Sequence, residues 1–393
     1  MQKLTKINLG NQRVLVRVDF NVPLDASGGV TDDARIRAAL PTLRHVLDMD
    51  GKLIIASHLG RPKGEVIPKY SLRPVAAHLE KLLTRKVIMA DDCIGTAVET
   101  GVSQMATGDV LLLENLRFHV AEQANDDVFA RQLAGLCDVY INDAFAVCHR
   151  DNASVAAICR YVGTKAAGFL LQKELDTFAK VVETPVRPVA AVVGGAKVSS
   201  KVKALENMID KVDLIFIGGA MANTFLAAQG MELGRSLLEP DMIETARHVL
   251  AEAAIKKTGC HLPVDVVVAT GLQADAASQV CAVHAIPPQR MALDIGPETV
   301  AHYAQKLALA QTVIWNGPMG VFETEPFDQG TLGVADAIVA LDALTIVGGG
   351  DTVAAVNRLG RGDDFSYLST GGGAFLTLME GRPLVAVAAL EGT

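Results

Sequence analysis

Aromatic residues make up only 5% of the 393-residue chain, and cations do not dominate it: Lys and Arg total 36 against 44 Asp and Glu, a formal charge of −8. Extended polyanion surfaces need cationic excess and base-stacking platforms need aromatics, so no nucleic-acid partner is expected. The six cysteines (93, 137, 148, 159, 260, 281) form no CxxC pair and none has a metal-ligand spacing to histidine. Free thiols in a reducing, cytoplasmic compartment are expected. The N-terminal stretch MQKLTKINLGNQRVLVRVDF lacks an apolar h-region, so no signal peptide is expected. Residues 214–231 form an 18-residue uncharged run that touches the threshold for a membrane span. Gly218, Gly219, Asn223, Thr224 and Gln229 interrupt it, and it reads as a buried strand, a glycine turn and a buried helix rather than a span. GxxxxGK[ST], a GxGxxG after the first strand, GxSxG and HExxH are all absent, which argues against P-loop, dinucleotide-binding, nucleophile-elbow and zincin chemistry. Cys148 and His149 are sequence neighbours on a loop, an arrangement that seldom makes a working nucleophile and base.

What remains is ample core material: half the residues are hydrophobic and the mean hydropathy is +0.29. The length predicts two or three domains. One unit recurs, a short apolar run, then glycine or polar residues, then a stretch of helical period. The runs are VLVRV (14–18), KLIIAS (52–57), DVLLL (109–113), DVYI (138–141), VAAVV (189–193), DLIFI (213–217), DVVVA (265–269), TVIW (312–315) and LTIV (344–347). They are apolar on both faces, as parallel strands covered by helices are. Residues 34–47 and 241–257 read as amphipathic helices between them, so the fold expected is α/β with parallel sheets. The segment 169–184 carries apolar residues at 171, 175, 178 and 182, and Pro185 and Pro188 follow it. It is expected to be a helix connecting two domains.

Ligands of parallel sheets bind beyond the carboxyl ends of the strands. In the first half those ends carry Asp19, Asn21 and Pro23; His58, Gly60, Arg61 and Pro62; Glu114, Asn115 and Arg117; and Asn142 and Asp143 leading to His149 and Arg150. Arg35 sits at a predicted helix start. Any single arginine here reads more readily as half of a surface ion pair, but the set points to a small polyanion, because the guanidinium fork suits carboxylate and phosphate. In the second half the ends carry glycines: 194–195, 218–219, 317 and 320, 348–350, and 371–373. Glycine turns that open helices present unpaired N–H groups at a positive dipole end, and five such clusters predict a phosphate-rich nucleotide. Lys197 and Lys201, four apart, would share one helical face with an anion between them, or else lie solvated on the surface. Asp351, directly after three glycines, is a candidate Mg2+ ligand, or an N-cap.

RVDFNVP (17–23), SHLGRP (57–62), LENLRF (113–118), GGAKVSSK (194–201), WNGPMGVFE (315–323), GGGDT (348–352) and STGGGA (369–374) resemble, in order and across nearly the whole chain, the motifs of the phosphoglycerate kinase family. The resemblance implies two Rossmann-like three-layer αβα domains, joined by an interdomain helix at 169–185 and facing each other over a cleft that closes for direct in-line transfer. The first, 1–168 with the tail 380–393, would bind 3-phosphoglycerate or 1,3-bisphosphoglycerate through Asp19, Asn21, Arg35, His58, Arg61, Arg117 and Arg150. The second, 186–379, would bind Mg2+ with ATP or ADP. There the resemblance implies Lys201 on the phosphates, Glu323 on the ribose, Gly349, Gly350, Asp351 and Thr352 on phosphates and metal, and Gly195, Gly219 and Asn316 lining the site. Arg35, Lys197 and the backbone of Gly372 would stabilise the phosphoryl group in flight, and residues 384–393 would fold back on the first domain. A monomer is expected. One departure is Phe375, where the family pattern most often has serine, so no hydroxyl acts at that point. The rival readings are a nicotinamide dehydrogenase, which lacks its fingerprint here, and a two-domain anion-binding protein, which has no use for Lys197 or Asp351.

Overall fold

The computed structural model describes residues 2–273 and 276–392. The chain divides into two compact units: one runs to Asp176 and takes up the chain again from Pro383, and the other is Thr177–Arg382.

The strands of the first unit are β1 (Gln2–Lys3), β2 (Arg13–Arg17), β3 (Lys52–Ala56), β4 (Val87–Met89), β5 (Val110–Leu112), β6 (Val139–Asn142) and β7 (Thr164–Ala167). They form one sheet in the order β1-β7-β6-β2-β3-β5-β4, parallel throughout. The central strands are buried on both faces, and Val14, Val16, Leu53, Ile55 and Ile141 anchor the core that Leu43 and Val46 of helix Ala34–Asp48 complete. Four neighbouring strands, β6, β2, β3 and β5, therefore end side by side, and the loops that leave them share one edge.

The second unit has β8 (Val189–Val193), β9 (Leu214–Ile217), β10 (Gly259–His261), β11 (Asp265–Ala269), β12 (Gln279–Ala282), β13 (Met291–Ile295), β14 (Thr312–Asn316), β15 (Leu344–Gly348) and β16 (Tyr367–Leu368). Six make a parallel sheet, β10-β9-β8-β14-β15-β16, around the buried Trp315. The run at 265–269 departs from the sequence expectation: β11 pairs antiparallel with β12 and β13 in a separate three-stranded sheet. An apolar run shows that a strand is buried but not which way its neighbour points.

Helix Phe169–Val182 carries the chain from one unit into the other. Its start is held within the first unit: the Phe169 N–H donates to Thr42 Oγ1 at 2.9 Å and the Leu171 N–H to Asp143 Oδ1 at 3.1 Å. Burial raises the Asp143 carboxyl to about 6. The returning chain forms helix Val385–Glu391 on the first unit, where the Ala386 N–H donates to Cys148 O; residue 393, which ends the predicted tail, lies outside the described residues. No helix among the described residues is long and apolar enough to cross a membrane.

Candidate active site

In the first unit the predicted residues gather at the shared strand edge. Asp19 is buried and accepts from Arg35 Nη1 at 2.7 Å and from the Asn21 N–H at 3.2 Å. Asn21 Oδ1 accepts the Gly60 N–H at 2.8 Å, and Arg117 Nη1 donates to Gly60 O at 2.7 Å. Asn115 fixes this corner: its Oδ1 accepts from the Leu59 and Arg117 N–H groups, and its Nδ2 donates to Leu59 O and Tyr70 O. Glu114 takes the Ser71 hydroxyl and the Leu72 and Asn115 N–H groups, so it supports the loops and does not face a ligand.

Electrostatics show how close the cations lie. Burial holds the His58 imidazole well below its usual value, and Arg17, Arg117, Arg150 and Arg35 push it down further. Arg117 is lowered to about 10 by burial, with Arg150 and Arg17 adding to the fall; Arg150 is lowered by burial and by Arg61. Four arginines act on one neutral histidine, and the exposed Arg61 acts on Arg150, a concentration of positive charge that suits an anion. Asp19, Asn21, Arg35, His58, Arg61, Arg117 and Arg150, the residues expected for the anionic substrate, lie at or beside this strand edge, whereas Glu114 braces loops and Asp143 holds the start of the connecting helix.

Arg17 was not among the predicted residues. It closes an apolar strand and reads as one more strand position, yet it is 1% exposed. Its Nε donates to Ser154 Oγ at 2.9 Å, its Nη1 to Val18 O, and its Nη2 reaches His58 Nδ1 at 3.2 Å. Since a guanidinium can only donate, His58 accepts at Nδ1 and carries its single proton on Nε2. Glu122 balances the buried charge at 4.0 Å, and Ser154 Oγ donates to it at 2.7 Å. The one available signal was a charge set inside VLVRV, a run that is otherwise wholly apolar.

In the second unit, Gly195, Lys197, Lys201, Asn316, Gly349, Gly350, Asp351, Thr352 and Gly372 line one cavity of about 390 Å³. Gly219 and Glu323 line an adjoining cavity of about 300 Å³, whose other walls include Leu237, Val266, Met291, Leu293 and Met319. Gly195, Ala196, Pro318 and Asp351 border both, so a polar trough continues into an apolar one. That division suits a molecule with phosphates at one end and a flat apolar ring at the other.

Three of the glycine clusters open helices: Gly218 caps Gly219–Ala228, Gly349 caps Gly350–Arg358 and Gly371 caps Gly372–Met379. The clusters at 194–195 and 317–320 instead form loops. Asp351 is thus inside the first turn, since Gly349, with φ of 97°, holds the cap position. A side chain at Gly372 would place Cβ 2.8 Å from the Gly350 nitrogen, so two helix N-termini abut there and their unpaired N–H groups share one space. Lys197 and Lys201 do not share a helical face; both precede helix Val202–Ile209. Lys197 is exposed, while Lys201 Nζ donates to Gly194 O at 2.6 Å and to Asn316 O at 2.8 Å, leaving one N–H for a ligand. Thr352 is buried and its Oγ1 accepts the Gly317 N–H at 2.6 Å, tying that loop to the helix start. Phe375 packs edge-on against Phe178 and fills the space left by Gly348.

Burial pulls the Lys201 ammonium down to about 8, against Asp351, which pulls it up. The cationic form therefore fades as pH rises through about 8, and affinity for the nucleoside diphosphate that the sequence leads one to expect here should fall above that point by up to about tenfold per pH unit. Calorimetry between pH 7 and pH 10 checks this: wild type should take up a proton on binding ADP at the alkaline end, and Lys201→Met should show a flat profile. Cys148 has no such role; burial pushes its thiol far up and its Sγ faces Ala144 O.

The family model for phosphoglycerate kinase matches residues 4–382. The phosphoglycerate kinase of Desulfosudis oleivorans is 54% identical over 391 residues, covering 100% of this chain and 99% of that protein. That of Moorella thermoacetica is 54% identical over 392 residues, covering 99% of each. Among solved structures, phosphoglycerate kinase from Coxiella burnetii aligns with a TM-score of 0.89 at 41% identity, over 99% of this chain and 98% of that one. The enzyme from Pyrococcus horikoshii OT3 aligns with a TM-score of 0.87 at 31% identity, over 100% and 98%.

Proposed function

The chain belongs to the phosphoglycerate kinase family, and from that premise we propose which of its groups perform the transfer. It is an ATP-binding kinase of glycolysis, which moves the acyl phosphate of 1,3-bisphosphoglycerate to ADP and runs in reverse. The arginine pocket around His58 takes 3-phosphoglycerate or 1,3-bisphosphoglycerate, and the glycine-lined trough takes ADP or ATP. The observation that supports this most is that Arg17, Arg35, Arg117 and Arg150 all act on one buried histidine at the ends of adjacent strands. His58, neutral and protonated on Nε2, donates a hydrogen bond without adding charge.

Phosphoryl transfer asks for position and positive charge, not for a nucleophile. ADP brings an ionised acceptor oxygen, so the ATP-forming direction needs no general base. Arg35, Lys197 and the N–H groups at Gly372 are assigned to the oxygens of the phosphoryl group in flight, and Lys201 to the nucleotide phosphates. Gly195, Gly219, Asn316, Gly349, Gly350 and Thr352 shape that trough, and Glu323 is assigned to the ribose. The chemistry itself requires the two bound ligands to meet with water excluded, because water is the competing acceptor. The ends of helix Phe169–Val182 and the 369–374 segment are assigned as the hinge. We further assign the enzyme to the cytoplasm, as a monomer.

Asp351 fits Mg2+: it is an exposed hard oxygen donor set among amides suited to phosphate, where an unbridged carboxylate would repel the ligand. When bound, the ion neutralises phosphate charge. Asp351→Ala is expected to reduce the Mg2+-dependent tightening of ADP binding by about tenfold or more, the worth of one charged contact. Calorimetric ADP titrations at varied Mg2+ test it, and a mutant curve that overlays wild type would return Asp351 to a purely structural role.

A further inference from the structure

A cluster outside both pockets joins three donors of different chemistry. The turn after β4 carries Asp92 and Cys93, and the turn after β5 carries His119; their carboxylate oxygen, Sγ and ring nitrogen all lie within 4.8 Å of one another. His119 Nε2 is 2.6 Å from Asp92 Oδ1, which also accepts the Cys93 N–H at 2.6 Å. The two turns are already braced, since the Glu114 N–H donates to Asp92 O and the His119 N–H to Leu116 O. The ring of His119 packs against Phe129. The cluster has a buried side and an open side: Cys93 is fully buried, while the side chains of Asp92 and His119 are 50% and 29% exposed.

We infer that Asp92, Cys93 and His119 form a binding site for a borderline-soft divalent cation of the zinc class, with water completing the coordination. Sulfur, imidazole and one carboxylate are zinc donors; Mg2+ prefers oxygen alone and is disfavoured here. Binding exchanges one thiol proton for the metal: the S–H bond breaks, a sulfur–metal bond forms, and the proton leaves to solvent, with no change of oxidation state. The ion staples the turn at 90–93 to the turn that bears Arg117.

Cobalt reports this site, because a thiolate bound to Co2+ absorbs in the near ultraviolet and the nucleotide trough contains no thiol. Wild-type protein titrated with Co2+ should develop that band to one ion per chain. Zn2+ should displace it, and excess Mg2+ should not. Cys93→Ser should abolish the band, and Asp92→Asn and His119→Gln should weaken binding by about 10–100-fold or more. Asp92→Asn alters a half-exposed side chain, so it keeps the comparison valid if Cys93→Ser does not fold. Zn2+ should also raise the Tm of wild type, through preferential binding to the folded state, and leave the Tm of His119→Gln unchanged. Absence of a thiolate band in wild type overturns the inference. So does a band of equal strength and affinity in the Asp92 and His119 variants, which would place the metal on another cysteine.

Discussion

Replacing Arg35 by alanine is expected to lower kcat by about 10³–10⁵ while changing phosphoglycerate affinity by less than about tenfold, the pattern of an arginine that acts on the phosphoryl group in flight. Arg35 sits in the first turn of helix Ala34–Asp48, its side chain 39% exposed and its Nη1 held by Asp19 at 2.7 Å. Arg17 and Arg117 are buried, whereas Arg35 is partly exposed, anchored at one nitrogen, and keeps its remaining donors available. Asp19 thus aims it. Steady-state kinetics in both directions, with calorimetric binding of 3-phosphoglycerate, separate the two effects. A near-normal kcat with a large loss of affinity would make Arg35 an ordinary substrate anchor.

The second large effect is at Arg117, and it should fall on KM. Arg117 is 5% exposed, donates to Gly60 O, and has its proton affinity lowered by burial first and by Arg150 and Arg17 after it. An anion bound beside it would offset that cost. Arg117→Met keeps the apolar stem and removes the charge. KM for 3-phosphoglycerate should rise by about 10–150-fold, since a hydrogen bond to a charged group is worth roughly 1.5–3 kcal/mol, and kcat should change far less. Thermal shift with 3-phosphoglycerate gives an independent check: ligand stabilisation should shrink in parallel, whereas an unchanged shift would mean that Arg117 faces away from the ligand.

Sequence legibility followed physical range. VAAVV at 189–193 and DVVVA at 265–269 are strands over the predicted residues, because a continuous apolar run is a local signal of burial. Thr164–Ala167 offered no such signal: its residues are small or charged, and it is a strand because β6 pairs with it on one side and β1 on the other. Most residues assigned to each half-site follow a strand, and parallel strands bring their carboxyl ends to one edge, so their gathering could be expected from order alone. Contacts distant in sequence were not legible. Nothing local shows that Gly372 must pass Gly350 without a side chain, or that Arg17 turns inward to set the proton on His58. Lys197 and Lys201 suggested a helix by spacing alone. Carbonyls at the ends of two neighbouring strands, of Gly194 and Asn316, claim the Lys201 ammonium instead, and the helix begins only at Val202.

The assigned groups orient and neutralise, and none of them attacks phosphorus. Transfer from 1,3-bisphosphoglycerate to ADP should therefore be a single displacement. The direct measurement is the stereochemical course at a transferred phosphoryl group made chiral by oxygen isotopes. Inversion is the predicted result; retention would reveal a phosphoenzyme intermediate and contradict the account.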